Sequence, residues 1–143
     1  MKAVQPTKTE IAAQFAAGRH CAQCSLCPWA KELGYDEEEL QRVACAFGGG
    51  MFRGDTCGAV SGSLMALGLA CGDDLSAVKE KTAQFQTAFT ERFGSTICRD
   101  LLGYDLATPE GHAQAFDSGK MQDFCPELVC AAIEIMNEIL KSN

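Results

Sequence analysis

The sequence predicts an all-α protein, a single-domain helix bundle of about five to seven helices. Apolar residues recur at helical rather than strand spacing, as in Phe85, Phe89 and Phe93. β-Branched residues are sparse, and glycines such as Gly34 and Gly72 fall where helices of ordinary length would end. The 143 residues suit one domain, and a 47% hydrophobic composition can supply its core.

Residues 1–8 are expected to form a frayed tail, and residues 9–143 the single helical domain. Pro28 falls inside a predicted helix, so a kink or break is expected near Cys27. Residues 103–120 are expected to be mostly loop. The predicted helices are 9–17, 19–33, 36–47, 57–71, 75–93, 95–102 and 125–141.

Two glycine patterns predict close backbone approaches. Gly58, Gly62 and Ala66 recur every four residues, so one face of the predicted helix 57–71 is small enough for a neighbouring helix to pack tightly. The loop at Gly48–Gly50 lacks the Gly-Lys-Ser/Thr ending of a phosphate loop. It is expected to let the backbone pass close to the cysteines described below, or to form a simple turn.

Composition excludes several classes of function. The formal net charge of -7 argues against a nucleic-acid partner, because phosphate binding requires clustered Lys and Arg. No signal peptide is visible at the start of the sequence, and no apolar run is long enough to span a bilayer. The sequence therefore predicts a cytoplasmic protein without membrane insertion.

The nine cysteines are the unusual feature of this composition. In a small secreted protein they would indicate a disulfide framework, but this chain is long enough to fold without one and the count is odd. In a reducing compartment, cysteines more often bind metal or carry out redox chemistry. We therefore expect the function to reside in the cysteines.

Position separates these cysteines into classes. A helix N-terminus lowers the pKa of a nearby thiol, because its dipole and free amides stabilise the thiolate. Cysteines at predicted helix starts are candidate redox thiols, with Cys24 as a candidate resolving thiol and Cys27 ambiguous. Three others, Cys45, Cys71 and Cys130, are expected to be packing residues. The candidate redox thiols, which would also be the cofactor or metal ligands, are Cys21, Cys57, Cys98 and Cys125.

This pattern resembles the C_GCAxxG_C_C family of redox-active proteins, over about residues 11–140. The resemblance implies redox activity, an association with iron–sulfur clusters and electron-transfer modules, and signature cysteines at the same four positions. One departure is that Cys57-Gly58-Ala59 follows Thr56, where the family name has the order Gly-Cys-Ala. The matching pieces are Phe15-x2-Gly18-x2-Cys21-Ala22-Gln23, Phe47–Met51, Cys57-Gly58-Ala59-Val60-x-Gly62, Cys98-Arg99-x-Leu101-Leu102-Gly103 and Cys125.

Four converging cysteines support three interpretations. They could hold an iron–sulfur cluster for electron transfer, or exchange disulfides without a cofactor. They could instead form a structural zinc site, although separations of 36, 41 and 27 residues do not resemble a zinc knuckle. The redox interpretations predict a component of a thiol/disulfide or iron–sulfur oxidoreductase with a redox partner protein. A non-redox helical interaction domain is a further alternative, and a homodimer is compatible with the sequence.

Overall fold

The computed structural model describes residues 1–141, and within this range nine α-helices account for most of the chain. The all-α prediction is confirmed, with more helices than the five to seven expected. Residues 142 and 143, the end of the predicted domain, lie outside the described residues. The helices are α1 (Lys8–Ala16), α2 (Cys21–Leu26), α3 (Ala30–Leu33), α4 (Glu37–Ala44), α5 (Gly58–Cys71), α6 (Leu75–Phe93), α7 (Cys98–Leu102), α8 (Pro109–Asp117) and α9 (Lys120–Leu140).

Proline and capping residues explain where the helices differ from the prediction. Pro28 breaks the predicted helix 19–33, and a 3₁₀ turn at Cys27–Trp29 separates α2 from α3. Helix α8 replaces part of the expected loop because the Thr108 side chain accepts a hydrogen bond from the Gly111 N–H, with Pro109 in the first turn. Side-chain capping therefore stabilises a helix that has little apolar periodicity.

The N-terminal segment is attached to the last helix. The sequence predicts a frayed tail over residues 1–8, but Ala3 is buried and its N–H donates to the Asn137 side chain at 2.9 Å. The Asn137 amide in turn donates to the Ala3 carbonyl at 3.2 Å. These two hydrogen bonds satisfy the buried polar groups of Ala3 and Asn137. Part of the N-terminal segment is therefore packed against α9.

The main core lies where α9 packs against α1, α2, α5 and α6. Trp29, Phe85 and Phe89 are fully buried in it. A second, smaller cluster packs α7 and the Leu106 segment against α8 and the first turns of α9. Among the described residues, no helix is both long and apolar enough to cross a membrane.

Helices α2 and α5 pack closely against each other. A methyl group at Gly62 would overlap the carbonyl of Ala22, and a methyl group at Gly58 would overlap the sulfur of Cys21. Ala66, one turn further along α5, is fully buried. The prediction that small residues on this helix admit a neighbouring backbone is therefore confirmed.

Two glycines of α5 should respond to alanine in opposite directions. Gly62→Ala should lower the free energy of unfolding by about 1–3 kcal/mol, because the added methyl forces α2 and α5 apart. Gly68→Ala is the matched control, since a methyl group there meets nothing within 4 Å. It should raise stability by about 1 kcal/mol through helix propensity alone. Urea denaturation of both variants tests this; destabilisation of similar size at both sites would contradict the close approach.

Candidate functional site

Four cysteines from distant parts of the sequence line one cavity of about 430 Å³. They come from the starts of α2, α5 and α7 and from the second turn of α9. These are the four positions that sequence analysis selected, Cys21, Cys57, Cys98 and Cys125. The cavity is bordered by α1 and by the Gly49 loop, and most of the remaining side chains around it are apolar.

The sulfur of Cys21 is surrounded by backbone. The amides of Gly49, Ala22 and Gly58 are directed at it and lower the pKa of its thiol, as does its own amide. We call the first three amides the amide cradle. They come from the glycine loop, from α2 and from α5, so the cradle exists only when these segments are packed together. Backbone N–H groups that converge on one atom form a site for negative charge.

The glycine loop contributes its amide through an unusual conformation. Gly49, Gly50, Met51 and Phe52 have φ values of 56°, 63°, 58° and 57°, so four successive residues are left-handed. Left-handed backbone costs about 1–2 kcal/mol for each non-glycine residue, here Met51 and Phe52. Such strain is concentrated at functional sites in proteins. As the sequence predicted, this loop brings its backbone close to the cysteine site.

The positions of Cys57 and Cys98 are coupled by a short pair of extended segments. Thr56 and Ile97 form an isolated antiparallel bridge. The Cys57 N–H donates to the Thr96 carbonyl at 2.8 Å, and the Cys98 N–H donates to the Asp55 carbonyl at 2.6 Å. Arg99 reinforces the bridge through an ion pair of 3.0 Å with Asp55. These bonds place the N-terminal ends of α5 and α7, with their cysteines, side by side.

The expectation that Cys125 lies at a helix start is wrong. Helix α9 begins at Lys120, so Cys125 lies in its second turn and Pro126 lies inside the helix. The proline has no N–H to donate to the carbonyl of Gln122, one turn earlier. Gln122 lines the cavity. The proline is accommodated near the beginning of a long helix, which the rest of α9 stabilises by packing in the core.

The expectation that helix starts would lower the thiol pKa values is also wrong. Burial raises the pKa of Cys21, raises that of Cys57 well above its usual value and raises that of Cys98 to about 12. It also raises the pKa of Cys125. Negative charge at Cys21 adds to the increase at each of the other three thiols. Desolvation by burial therefore outweighs the effect of the helix dipole at these thiols.

The remaining cysteines do not line this cavity. Cys24 is fully buried, and desolvation, followed by the charge of Cys21, raises its pKa to about 12. Cys27 is buried, with a pKa that burial raises to about 11. Cys45 is exposed, contrary to the packing role expected for it, because α4 ends at Ala44 and a 3₁₀ turn follows. Cys71 and Cys130 are half-buried, Cys71 at the end of α5 and Cys130 in α9.

His20 lies between the start of α2 and the glycine loop. Its Nε2 atom lies 2.7 Å from the Cys45 carbonyl, and its ring meets the Phe52 ring edge-on at 6.0 Å between centroids. A methyl group at Gly48 would overlap the ring, so only glycine fits there. His20 thus connects the start of α2 to the strained loop and contributes to the cavity wall.

The zinc site and the iron–sulfur cluster considered above need different arrangements of ligand atoms. Over residues 1–141, no three His, Cys, Asp or Glu side chains are arranged to hold a metal ion. A single zinc ion needs four donors around one point. An iron–sulfur cluster distributes its four thiolate ligands over several iron atoms, and a four-thiol cavity provides donors of the right kind.

Comparison with known proteins identifies the family. The sequence profile described as "Putative redox-active protein (C_GCAxxG_C_C)" matches residues 19–139. The chain belongs to this family. No curated protein and no solved structure matches this C_GCAxxG_C_C chain. The match includes all four cavity cysteines and the glycine loop.

The raised thiol pKa values predict how the stability of this C_GCAxxG_C_C protein depends on pH. The ordinary value for the Cys98 thiol is 9.0, and its folded value is about 12. Above about pH 9 the unfolded chain releases the proton that the folded chain keeps, so stability should fall as pH rises. The slope for one thiol approaches about 1.4 kcal/mol per pH unit.

Urea denaturation under reducing conditions at about pH 8 and about pH 10 measures this effect. The Cys98→Ser variant removes one such thiol and controls for other titrating groups. Its stability should decline less than that of the wild type over the same interval. Parallel declines would show that Cys98 ionises as easily in the folded protein as in the unfolded chain.

Proposed function

We propose that the protein is a redox protein in which the four cavity cysteines act as one centre, with Cys21 as its reactive thiol. The observation that carries the proposal is their convergence on one cavity, with the sulfur of Cys21 in the amide cradle. Family membership supports redox activity in general. In the form supported best, Cys21 and one neighbouring cavity thiol cycle between dithiol and disulfide.

The amide cradle gives Cys21 its particular role. A free buried thiol is a weak nucleophile, because the thiolate is the reacting form and burial disfavours it. The cradle offsets part of this cost at Cys21 through the amides of Gly49, Ala22 and Gly58. Burial raises the pKa of all four cavity thiols, but several backbone amides oppose this increase only at Cys21. In this proposal Cys21 therefore reacts first. A neutral neighbouring thiol can then release its proton and close the disulfide.

An iron–sulfur cluster is the second candidate. The observation in its favour is the donor set, because four thiols line one cavity. Backbone amides are also directed at one of these sulfurs, and hydrogen bonds to sulfur tune the reduction potentials of such clusters. Cys21, Cys57, Cys98 and Cys125 would be its ligands. The cluster would supply one-electron transfer, while the chain would exclude water and hold the ligand sulfurs.

Anaerobic purification with metal analysis and absorption spectroscopy separates these candidates. Colourless protein that forms a reducible disulfide at Cys21 supports thiol–disulfide chemistry. Stoichiometric iron and sulfide with dithionite-bleachable absorption supports the cluster. Stoichiometric zinc with cysteines that react with no oxidised dithiol would contradict redox function altogether.

Three variants test the role of Cys21 within the centre. Cys21→Ser should abolish reaction with an oxidised dithiol, whereas Cys45→Ser, at an exposed thiol outside the cavity, should react as the wild type does. Gly58→Ala should slow the reaction about tenfold or more, because the added methyl displaces the sulfur from its amides. Stopped-flow kinetics measures all three, and unchanged rates in Cys21→Ser would refute the assignment.

A further inference from the structure

The cavity is larger than chemistry among the cysteines requires. Its volume is about 430 Å³, whereas an apolar cavity of about 150 Å³ already holds benzene. If the number of atoms scales with cavity volume, the space beside the four sulfurs would hold a molecule of roughly 17 non-hydrogen atoms. A pocket of this size, mainly apolar and with a few polar groups, is the usual form of a small-molecule site.

The polar groups on the wall restrict the charge of such a molecule. Among the described residues that line the cavity, none is Asp or Glu, so a cation has no partner there. Arg19 lines it but already pairs with Glu37 at 3.7 Å, which offsets its charge. Arg19 and Gln122 still offer N–H donors. The site thus suits an uncharged molecule with hydrogen-bond-accepting oxygens.

The apolar wall favours a flat, unsaturated ring. Phe15 and Phe116 lie on the wall together with the thioether of Met121, and both ring–ring and sulfur–ring contacts stabilise aromatic systems. Phe116 is 55% exposed, so its ring lies at the edge of the cavity, where a ligand would cover it. Together these features describe an uncharged aromatic carbonyl compound.

We propose that the cavity binds a quinone, which accepts two electrons from the cysteine centre. This inference rests on the thiol–disulfide form of the proposed function. Two S–H bonds break and one S–S bond forms between Cys21 and a neighbouring cavity thiol. The two electrons and two protons pass to the quinone, whose two carbonyl oxygens become hydroxyls. A dithiol of a partner molecule then reduces the disulfide and completes the cycle.

Duroquinone is a suitable probe, because its ring carries four methyl groups and leaves no position for stable thiol addition. We expect the reduced protein to bind it and to yield one quinol for each disulfide formed. Ala12→Phe, which fills the cavity from α1, should weaken binding about tenfold or more. Ala13→Phe is the matched control, exposed on the same helix and outside the cavity lining, and should change binding less than about twofold.

Phe116→Ala provides a second variant that leaves the core intact, since this side chain is largely exposed. It should also weaken duroquinone binding, because the ligand loses one of its ring contacts. Equilibrium dialysis and quinol absorbance measure binding and reduction separately.

The outcomes distinguish this inference from the proposed function. Normal exchange with dithiols and no duroquinone binding would overturn the quinone site and leave the redox centre standing. Equal binding by Ala12→Phe and Ala13→Phe would place the quinone elsewhere. Binding of decanoate in preference to duroquinone would overturn the quinone class. Duroquinone binding without reaction of the cysteines with any oxidant would overturn both proposals.

Discussion

The candidate site depends on the close packing of α5 against α2. Gly58 brings the backbone of α5 onto the sulfur of Cys21, and Gly62 brings it onto the carbonyl of Ala22. This contact supplies two members of the amide cradle and fixes the distance of Cys57 from Cys21. Because a side chain at either glycine would separate the helices, the chemistry of Cys21 and the stability of the bundle depend on the same packing.

The strained loop supplies the third member of the cradle. Its left-handed residues include Met51 and Phe52, for which this conformation is unfavourable, so packing elsewhere must maintain it. Phe52 contacts the His20 ring, which Gly48 and the Cys45 carbonyl hold in place. The position of the Gly49 amide beside Cys21 therefore depends on contacts made by the rest of this loop.

Much of this organisation could be predicted from local patterns in the sequence. Helix α6 has the predicted bounds because its phenylalanine stripe and Gly94 cap are local signals, and the break near Cys27 follows directly from Pro28. The small stripe of α5 indicated a close helix contact. Selection of the four cavity cysteines depended on their predicted positions in helices and on the resemblance to the family.

Features that arise from tertiary packing were beyond such reasoning. The position of a thiol at a helix start suggests a lowered pKa, but only the packed structure shows that desolvation is stronger at Cys21 and Cys57. Cys125 was selected for a helix start that does not exist, since α9 starts five residues earlier. The cavity itself had no sequence signal, because its wall combines residues from α1, α7, α8 and α9.

The central claim is that Cys21 is the thiol through which the four-cysteine centre reacts. NMR spectra of protein labelled with ¹³C at the cysteine β-carbons test it most directly, during titration with less than one equivalent of an oxidised dithiol. The account predicts that the Cys21 signal moves first to the disulfide range, together with that of one other cavity cysteine. Early movement of Cys45 or Cys130 while Cys21 stays in the thiol range would contradict it.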